Sequence, residues 1–158
     1  MGIAEDRQWM QQAVDEANRA SLHGDVPVGA IAVGADGKVA RAHNRREIDH
    51  DPTAHAEVLA LRALAALGES WNLAGSTLYV TQEPCVMCAG AIVNARVARL
   101  VYGCDNPKAG AVRTRYRIAD EGRLNHKVEI EGGVLASECG QLLSNFFVQL
   151  REDTAKRT

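Results

Sequence analysis

The feature that most constrains this 158-residue chain is the segment Pro84-Cys85-Val86-Met87-Cys88, which joins a predicted strand to a predicted helix. Residues three apart lie on one face of a helix, so Cys85 and Cys88 can bring their sulfur atoms together at the helix start. Free backbone N–H groups there favour the thiolate, which is the form that binds zinc. The pair alone leaves three interpretations open: a redox pair, half of a zinc ribbon, or coincidence.

The segment His55-Ala56-Glu57 is the second constraint. Positions i and i+2 inside a helix point about 200° apart, so His55 and Glu57 share a site only where the helix begins. Asp51-Pro52-Thr53 supplies such a beginning, ahead of the Ala- and Leu-rich residues 54–67. Taken alone, His55 is equally explained as a hydrogen-bonded core histidine, and Glu57 as a favourable charge in a first helical turn.

Together, these four residues form a His/Cys/Cys ligand set with one carboxylate beside it. A structural zinc site usually has four protein ligands, whereas a catalytic site leaves one position for water. We therefore predict a zinc ion bound by His55, Cys85 and Cys88, and a water on which Glu57 acts. The order His-x-Glu and then Pro-Cys-x-x-Cys is the signature of zinc-dependent nucleobase deaminases, in which the glutamate moves protons during hydrolysis.

The remaining histidines and cysteines lack that spacing. Candidates for a fourth ligand are His23, His43, His50 and His126. None of the four has motif spacing to either segment. Cys104 and Cys139 are isolated in the sequence, so we expect them to be small buried apolar residues.

Charge and composition limit the location and the partners of the chain. The formal net charge is -2, so the chain as a whole lacks the basic character of many nucleic-acid-binding proteins, although a local basic patch remains open. Residues 1–7 lack the pattern of a signal peptide, and no apolar run is long enough to span a bilayer. In a reducing cytosol, closely spaced cysteines more often bind metal or do redox chemistry. We expect a cytoplasmic protein.

Apolar periodicity predicts helices that alternate with strands. Helical spacing predicts helices over residues 6–22, 54–67, 86–95 and 136–151. Apolar and β-branched runs predict strands over residues 28–33, 39–42, 77–81, 99–102 and 128–130, with Asp36-Gly37 as a hairpin turn. Residues 103–127 show no clean period. The alternation and the chain length predict one α/β domain over residues 1–158, with a central sheet covered by helices.

Beyond the zinc signature, the chain closely resembles the bacterial tRNA-specific adenosine deaminases of the cytidine deaminase superfamily. The similarity runs through almost the whole chain and includes residues 26–30, 43–45, 51–57, 79–90, 124–126 and 144–147. It implies a three-layer α/β/α cytidine-deaminase-like fold with a central five-stranded mixed sheet, and a homodimer with one zinc ion per subunit. The implied reaction converts adenosine to inosine at the wobble position of tRNA, with the anticodon loop lying across both subunits.

The resemblance also implies roles for particular residues. The positions implied to bind substrate are Val28, Asn44, Ala56, Pro84, Asn125 and Phe147. Asn44 matches an asparagine that contacts the substrate. Val28, Ala56 and Pro84 match positions that line the base pocket. Asn125 and Phe147 match positions that contact neighbouring nucleotides.

Residues 105–127 depart from the usual sequence of that family. Asn106 stands where relatives carry aspartate, and residues 112–117 are more basic than the family segment expected there. Lys and Arg outnumber Asp and Glu across residues 105–127, so Asn106, Lys108, Arg113 and Arg115 are candidate RNA contacts. The same charges also fit a solvated loop with ordinary surface arginines.

Three rival functions make different predictions. A deaminase of a free purine base or nucleoside, such as guanine, would keep the zinc chemistry and close its pocket around that substrate. A non-catalytic zinc-stabilised binding module would have a fourth protein ligand and no role for Glu57. A redox thiol protein would leave both His55 and Glu57 unexplained.

Overall fold

The computed structural model describes residues 2–157, so Met1 and Thr158 of the predicted domain lie outside the described residues. Helices alternate with strands along this range, which confirms the predicted α/β class. In chain order the elements are α1 Ile3–Leu22, β1 Gly29–Val33, β2 Val39–His43, α2 Ala56–Gly68, β3 Thr77–Gln82, α3 Val86–Asn94, β4 Arg99–Cys104, β5 Glu129–Glu131 and α4 Ala136–Lys156.

The strands form one mixed sheet in the order β2-β1-β3-β4-β5. Strand β1 is antiparallel to β2 and β3, whereas β3, β4 and β5 run parallel. The β1–β2 hairpin turns at Asp36-Gly37 as predicted, because Gly37 has a φ of 88° and the Asp36 carboxylate accepts the backbone N–H of Lys38. The carboxyl ends of β3 and β4, at Gln82 and Cys104, therefore lie at the same edge of the sheet.

Helices cover both faces of the sheet and complete three layers. On one face, Leu64 of α2 and Ile92 of α3 belong to a buried cluster with residues of the strands. On the other face, Met10 of α1 and Cys139 of α4 belong to a second buried cluster. Alternate residues of β3 face the two clusters, as the period of a strand requires. The structure thus confirms the predicted three-layer α/β/α fold with a central five-stranded mixed sheet.

A buried ion pair fixes α1 to the sheet. Both carboxylate oxygens of Asp6 accept hydrogen bonds of 2.7 Å from the guanidinium of Arg99 on β4, and the hydroxyl of Tyr79 donates to Asp6 at 3.2 Å. The hydrogen bond from Arg99 lowers the pKa of Asp6 despite its burial. Gly29 lets α1 approach β1 closely, because a Cβ at this position would overlap the backbone of Ala13.

Two helix ends differ from the simplest expectation. The helix predicted over residues 54–67 extends to Gly68, and the left-handed residue that follows is Glu69, with a φ of 51°. Helix α4 continues to Lys156, past the predicted end at Arg151, because the intervening residues contain neither Gly nor Pro to stop it. Its outer half leaves Phe147 partly exposed. None of the helices within residues 2–157 is long and apolar enough to cross a membrane.

Candidate active site

The N-terminus of α2 presents the first predicted ligand. His55 is the N-cap residue, with an extended backbone at φ -79° and ψ 150°, and its carbonyl oxygen accepts the N–H of Leu59. The predicted position of His55 at a helix boundary is therefore confirmed, and Glu57 follows in the first turn. Asp51 does not cap this helix. Its carboxylate instead accepts the backbone N–H and the hydroxyl of Thr53, and this shapes the turn ahead of α2.

The N-terminus of α3 presents the two thiols. Strand β3 ends at Gln82, and Cys85 is the N-cap of α3 with an extended backbone. Cys88 lies in the first turn and is fully buried, whereas Cys85 is half-buried. Because unpaired N–H groups at a helix start favour negative charge, this position suits thiolate ligands.

The three predicted ligands meet in space, and we call His55, Cys85 and Cys88 the metal cluster. His55 Nδ1 lies 3.7 Å from Cys85 Sγ and 3.5 Å from Cys88 Sγ, and the three ligand atoms all lie within 4.8 Å of one another. Tetrahedral zinc with bonds of about 2.3 Å to sulfur and 2.0–2.1 Å to nitrogen separates such ligands by about 3.6 Å. The donor set and its spacing therefore fit zinc.

The two thiols of the metal cluster differ in pKa, and only Cys85 favours the negatively charged form. The hydrogen bond from Cys88, with further contributions from His55, lowers the pKa of the Cys85 thiol to about 4 despite its burial. The hydrogen bond to Cys85 and burial raise the pKa of Cys88, so the pair shares one proton. A cation among these atoms would replace that proton, because metal binding to thiols releases protons.

No other His, Cys, Asp or Glu in the described part of the chain joins the metal cluster. The Nε2 atoms of His23 and His43 lie 3.1 Å apart, and His126 Nε2 lies 2.7 Å from the carbonyl oxygen of Val97. A structural zinc site usually has four protein ligands. The three-ligand set therefore favours a catalytic centre over a zinc-stabilised binding module.

Glu57 lies beside the metal cluster without belonging to it. Its side chain is only 4% exposed, and burial raises the pKa of its carboxyl group above the ordinary value for glutamate. A raised pKa makes a carboxylate a stronger proton acceptor. Position and environment therefore suit Glu57 for proton transfer.

A cavity of about 150 Å³ opens at the metal cluster. Its lining residues are Val26, Val28, Asn44, Arg46, His55, Ala56, Glu57, Gln82, Glu83, Cys85 and Asn106. Three predicted substrate residues, Val28, Asn44 and Ala56, thus border the same space as Glu57. Asn106, a candidate RNA contact, also reaches this wall.

Asn44 is held rigidly at the cavity. Its side-chain amide donates to the carbonyl oxygen of Val26 at 3.1 Å and accepts the backbone N–H of Arg46 at 3.1 Å. The fully buried carboxylate of Asp25 accepts the backbone N–H of Glu47 at 2.6 Å and so fixes the loop after Asn44. These contacts fix the side chain that the resemblance assigns to the substrate.

Glu83 organises the opposite wall. Its buried carboxylate accepts the backbone N–H groups of Asn106, Val112, Arg113 and Thr114, and also the hydroxyl of Thr114. Burial opposes ionisation, but these hydrogen bonds outweigh it and hold the pKa of Glu83 below its usual value. A Cβ at Gly110 would overlap this carboxylate, so only glycine fits there. One buried charge therefore shapes the chain from residue 106 to residue 114.

Other predicted residues lie outside the cavity lining. The carbonyl oxygen of Pro84 accepts the N–H of Ala111 at 2.9 Å, which joins the ligand segment to the loop. Asn125 is exposed, and Phe147 is 41% exposed on α4. Lys108 is also exposed. Their roles in substrate binding stay predictions.

The two candidate arginines differ in their partners. Arg113 donates to the carboxylate of Asp120 at 2.9 Å, and Arg117 lies 3.3 Å from the same group. Arg115 is exposed, and its side chain donates a hydrogen bond to the carbonyl oxygen of Pro107 at 3.4 Å, with no ion pair to a carboxylate within residues 2–157. Arg115 is therefore the freer of the two candidate arginines to bind a phosphate.

Comparison with known proteins agrees with this site. The profile of the MafB19-like deaminases matches residues 4–151. A tRNA-specific adenosine deaminase of Bacillus subtilis is 46% identical over 151 residues, covering 95% of this chain and 93% of that protein. The chain belongs to the MafB19-like deaminase family and to the tRNA-specific adenosine deaminases.

Solved structures support the same family. One from a study of A-to-I editing by tRNA:A34 deaminases has a TM-score of 0.82 and 40% identity, and the match covers 86% of this chain and 99% of that chain. A guanine deaminase from Nitrosomonas europaea has a TM-score of 0.71 at 22% identity, over 89% of this chain and 83% of that one. The second likeness shows the fold alone.

Four residues of the cavity were not predicted from the sequence: Val26, Arg46, Gln82 and Glu83. Val26 and Arg46 each lie two residues from a predicted residue, Val28 and Asn44 respectively. This closeness in the chain could have indicated them. Glu83 precedes the Pro-Cys-x-x-Cys signature, but its function as a hydrogen-bond acceptor depends on partners between residues 106 and 114. Nothing in the local sequence reveals such distant partners.

Proposed function

We propose that this deaminase hydrolyses adenosine to inosine at the wobble position of tRNA, with release of ammonia. One observation carries the proposal: Asn44, Glu57 and two residues of the metal cluster, His55 and Cys85, line a single cavity of about 150 Å³. A cavity of this size suits one base rather than a duplex. The names of the relatives at 44–46% identity support adenosine in tRNA as the substrate.

The proposed chemistry divides between a metal ion and the protein. Zinc held by His55, Cys85 and Cys88 would act as a Lewis acid and lower the pKa of water toward about 7. Glu57 accepts a proton from the attacking water and delivers it to N1 of the adenine as the water oxygen bonds to C6. Glu57 then takes the remaining proton of that oxygen and delivers it to the amine as the C6–N6 bond breaks, so water and adenosine become inosine and ammonia.

The residues around Glu57 orient the base and exclude water. Val28 and Ala56 provide apolar walls, and Asn44 provides an amide at a fixed position. A base inside a stacked helix cannot enter such a cavity, so the target has to be unpaired or flipped out. An anticodon loop meets that requirement. We assign Pro84, Asn125 and Phe147 to the same substrate as proposals from the resemblance.

The proposal includes a homodimer, one zinc ion per subunit, a single domain over residues 1–158 and a cytoplasmic location. Support for a partner subunit comes from an apolar groove of about 340 Å³ between α2 and α3. Trp71 in that groove is 65% exposed, and large exposed apolar surfaces commonly mark interfaces. All four cysteines are free, as a reducing compartment would favour.

The substrate is tested by ammonia release from a panel of compounds. The panel contains a tRNA anticodon stem-loop with adenosine at the wobble position, free adenosine, adenine, guanine and cytidine. We expect turnover of the stem-loop, with inosine found at the wobble position. Turnover of guanine or adenosine with an inert stem-loop would reject the proposed substrate.

A further inference from the structure

A second cleft lies on the surface and is lined by residues that follow residues 106–114 in the chain. It has a volume of about 370 Å³, and we call it the Tyr116 cleft. Its lining residues are Tyr116, Arg117, Ile118, Glu121, Arg123 and Leu124. The proposed chemistry uses none of them, yet the volume lies in the range of small-ligand sites, about 300–1,000 Å³.

The walls of the Tyr116 cleft match the surfaces of a nucleotide. Tyr116 is 58% exposed, so a large part of its side chain is open to solvent and to a ligand, and Leu124 is 48% exposed beside it. Aromatic side chains stack unpaired bases, and apolar side chains support the second face of a base. Arg117 and Arg123 border the same cleft with side chains that are 59% and 86% exposed. Guanidinium groups bind phosphate and stack on bases.

Charge makes RNA the ligand that the cleft fits best. The basic residues of the segment 113–127 are Arg113, Arg115, Arg117, Arg123 and Lys127, and its acidic residues are Asp120 and Glu121. The segment is therefore positive, although the whole chain carries a formal net charge of -2. Asp120 pairs with Arg113 and Arg117, and Glu121 pairs with Arg123. These contacts hold guanidinium groups at the rim and leave excess positive charge for phosphates.

Hydrogen bonds connect the Tyr116 cleft to the cavity. Glu83 borders the cavity and accepts the backbone N–H of Arg113, whose side chain bonds to Asp120. Asp120 in turn contacts Arg117, which lines the cleft. The backbone N–H of Tyr116 also bonds to the carbonyl oxygen of Gly110, at the position packed against Glu83. The two sites therefore belong to one hydrogen-bonded surface.

We propose that the Tyr116 cleft binds a second unpaired nucleotide of the RNA, with its base stacked on Tyr116 and its phosphates near Arg117 and Arg123. The proposal rests on the proposed function, because it assumes that the substrate is a strand that continues beyond the target base. It assigns to the basic segment a base-stacking site in addition to phosphate contacts.

Affinity for the wobble-adenosine stem-loop tests the stacking. All binding variants carry Glu57→Ala, so that the bound RNA stays unreacted. We expect Tyr116→Ala to raise Kd at least about fivefold, whereas Tyr116→Phe changes it less than about twofold, because a stacked base depends on the ring. Tyr116→Leu keeps apolar bulk without a ring and should resemble the alanine variant. Equal affinities for all three variants and the parent would overturn the proposal.

Abasic replacement identifies the stacked base. Each unpaired base of the stem-loop outside the wobble position is removed in turn. At one position we expect removal to weaken binding at least about fivefold with Tyr116 present and less than about twofold with Tyr116→Ala, since additive effects indicate independent sites. Additive losses at every position would show that Tyr116 stacks no base, and would overturn the proposal.

The arginines are tested by the salt dependence of Kd. We expect Arg123→Gln to reduce the slope of log Kd against log salt by about 0.7, the value for one phosphate contact on a single strand. Lys38→Gln is the charge-matched control, because Lys38 follows the hairpin turn at the far end of β1 from Val28. Equal slopes for Arg123→Gln and Lys38→Gln would reject the phosphate contact. Inosine formation with Glu57 intact tests the proposed function separately. If the stem-loop shows the expected dependence of binding on Tyr116 and the stacked base but is not deaminated, the proposed function is rejected and the Tyr116 cleft is retained.

Discussion

The metal cluster and segment 105–127 border the same cavity but are organised in opposite ways. The metal cluster consists of two helix starts, where His55 and Cys85 are N-cap residues whose positions follow from nearby sequence. Segment 105–127 contains no helix or strand, and its cavity wall is held by the carboxylate of Glu83, which lies more than 20 residues earlier. We propose that local structure fixes the chemistry, whereas distant hydrogen bonds fix the surface offered to the substrate.

Under the proposed function, this difference separates the residues proposed for catalysis from those proposed for recognition. A change in segment 105–127 can alter which RNA is bound while the helix starts keep the ligands in place. The basic residues of this segment differ from those the family resemblance leads us to expect, whereas the His-x-Glu and Pro-Cys-x-x-Cys segments do not. We infer that substrate recognition can vary in this fold without change to the reaction.

The largest expected effect is on chemistry, from Glu57→Gln. This change keeps the size of the side chain but removes proton transfer, and we expect kcat to fall by about 10²- to 10⁴-fold on every substrate. Zinc content measured by mass spectrometry should stay at one ion per subunit, because Glu57 lies outside the metal cluster. Loss of zinc in this variant would place Glu57 among the ligands. Glu5→Gln, an exposed change in α1, is the control.

The next largest effect is a loss of stability from a change outside both the metal cluster and segment 105–127. Asp6→Asn leaves the Arg99 guanidinium without its buried partner, and we expect the free energy of unfolding to fall by about 3–5 kcal/mol. Activity per folded molecule should stay unchanged. Chemical denaturation measures the folded fraction, and kcat at low temperature measures the activity of that fraction. A fall in kcat larger than the loss of folded protein would show that this ion pair also shapes the site.

The Asp6 contribution depends on pH in a defined direction. The pKa of Asp6 is lower in the folded protein than in the unfolded chain, where it is about 3.9. Its stabilisation is therefore present above the unfolded pKa and is lost as the pH falls through the folded pKa. The difference in unfolding free energy between the parent and Asp6→Asn should be constant near neutral pH and shrink below about pH 4. A constant difference down to pH 2 would contradict this assignment.

A smaller effect is expected at Glu83, the residue that organises the loop. In Glu83→Gln, the amide cannot accept all the backbone N–H groups that the carboxylate accepts, and we expect a loss of about 1–3 kcal/mol in unfolding free energy. Trypsin should cleave after Arg113, Arg115 or Arg117 at least about tenfold faster, because the loop opens more often. Fragment masses identify the sites, and exposed Glu131→Gln is the control. Unchanged cleavage would show that the loop does not depend on this carboxylate.

The smallest expected effect is a change in salt dependence from Arg115→Gln. Arg115 has no carboxylate partner among the ion pairs of the described residues, so its charge is available to a phosphate. We expect the slope of log KM against log salt for the stem-loop to fall by about 0.7, with kcat unchanged. The same slope as in the parent would remove Arg115 from the RNA surface.

The contrast between the two regions also explains what the sequence predicts. Helices and strands, the three ligands and the helix-start position of His55 follow from residues near one another in the chain. Glu83 and the Tyr116 cleft do not, because the first depends on partners 23–31 residues away and the second on a loop without a regular period. Likewise, α2 ends at Gly68 with Glu69 as a left-handed C-cap, although glycine is the residue that usually adopts this conformation at a helix end.

Single-turnover deamination of the stem-loop at saturating enzyme most directly tests whether chemistry and recognition are separate. The rate and the enzyme concentration for half-maximal rate are measured for the parent, Glu57→Gln and Glu83→Gln. We predict that Glu57→Gln lowers the maximal rate and leaves the half-maximal concentration unchanged. For Glu83→Gln we predict a raised half-maximal concentration and a maximal rate within about threefold of the parent, since the helix starts still hold the metal cluster and Glu57. Loss of maximal rate in both variants, with the same half-maximal concentration, would contradict the separation.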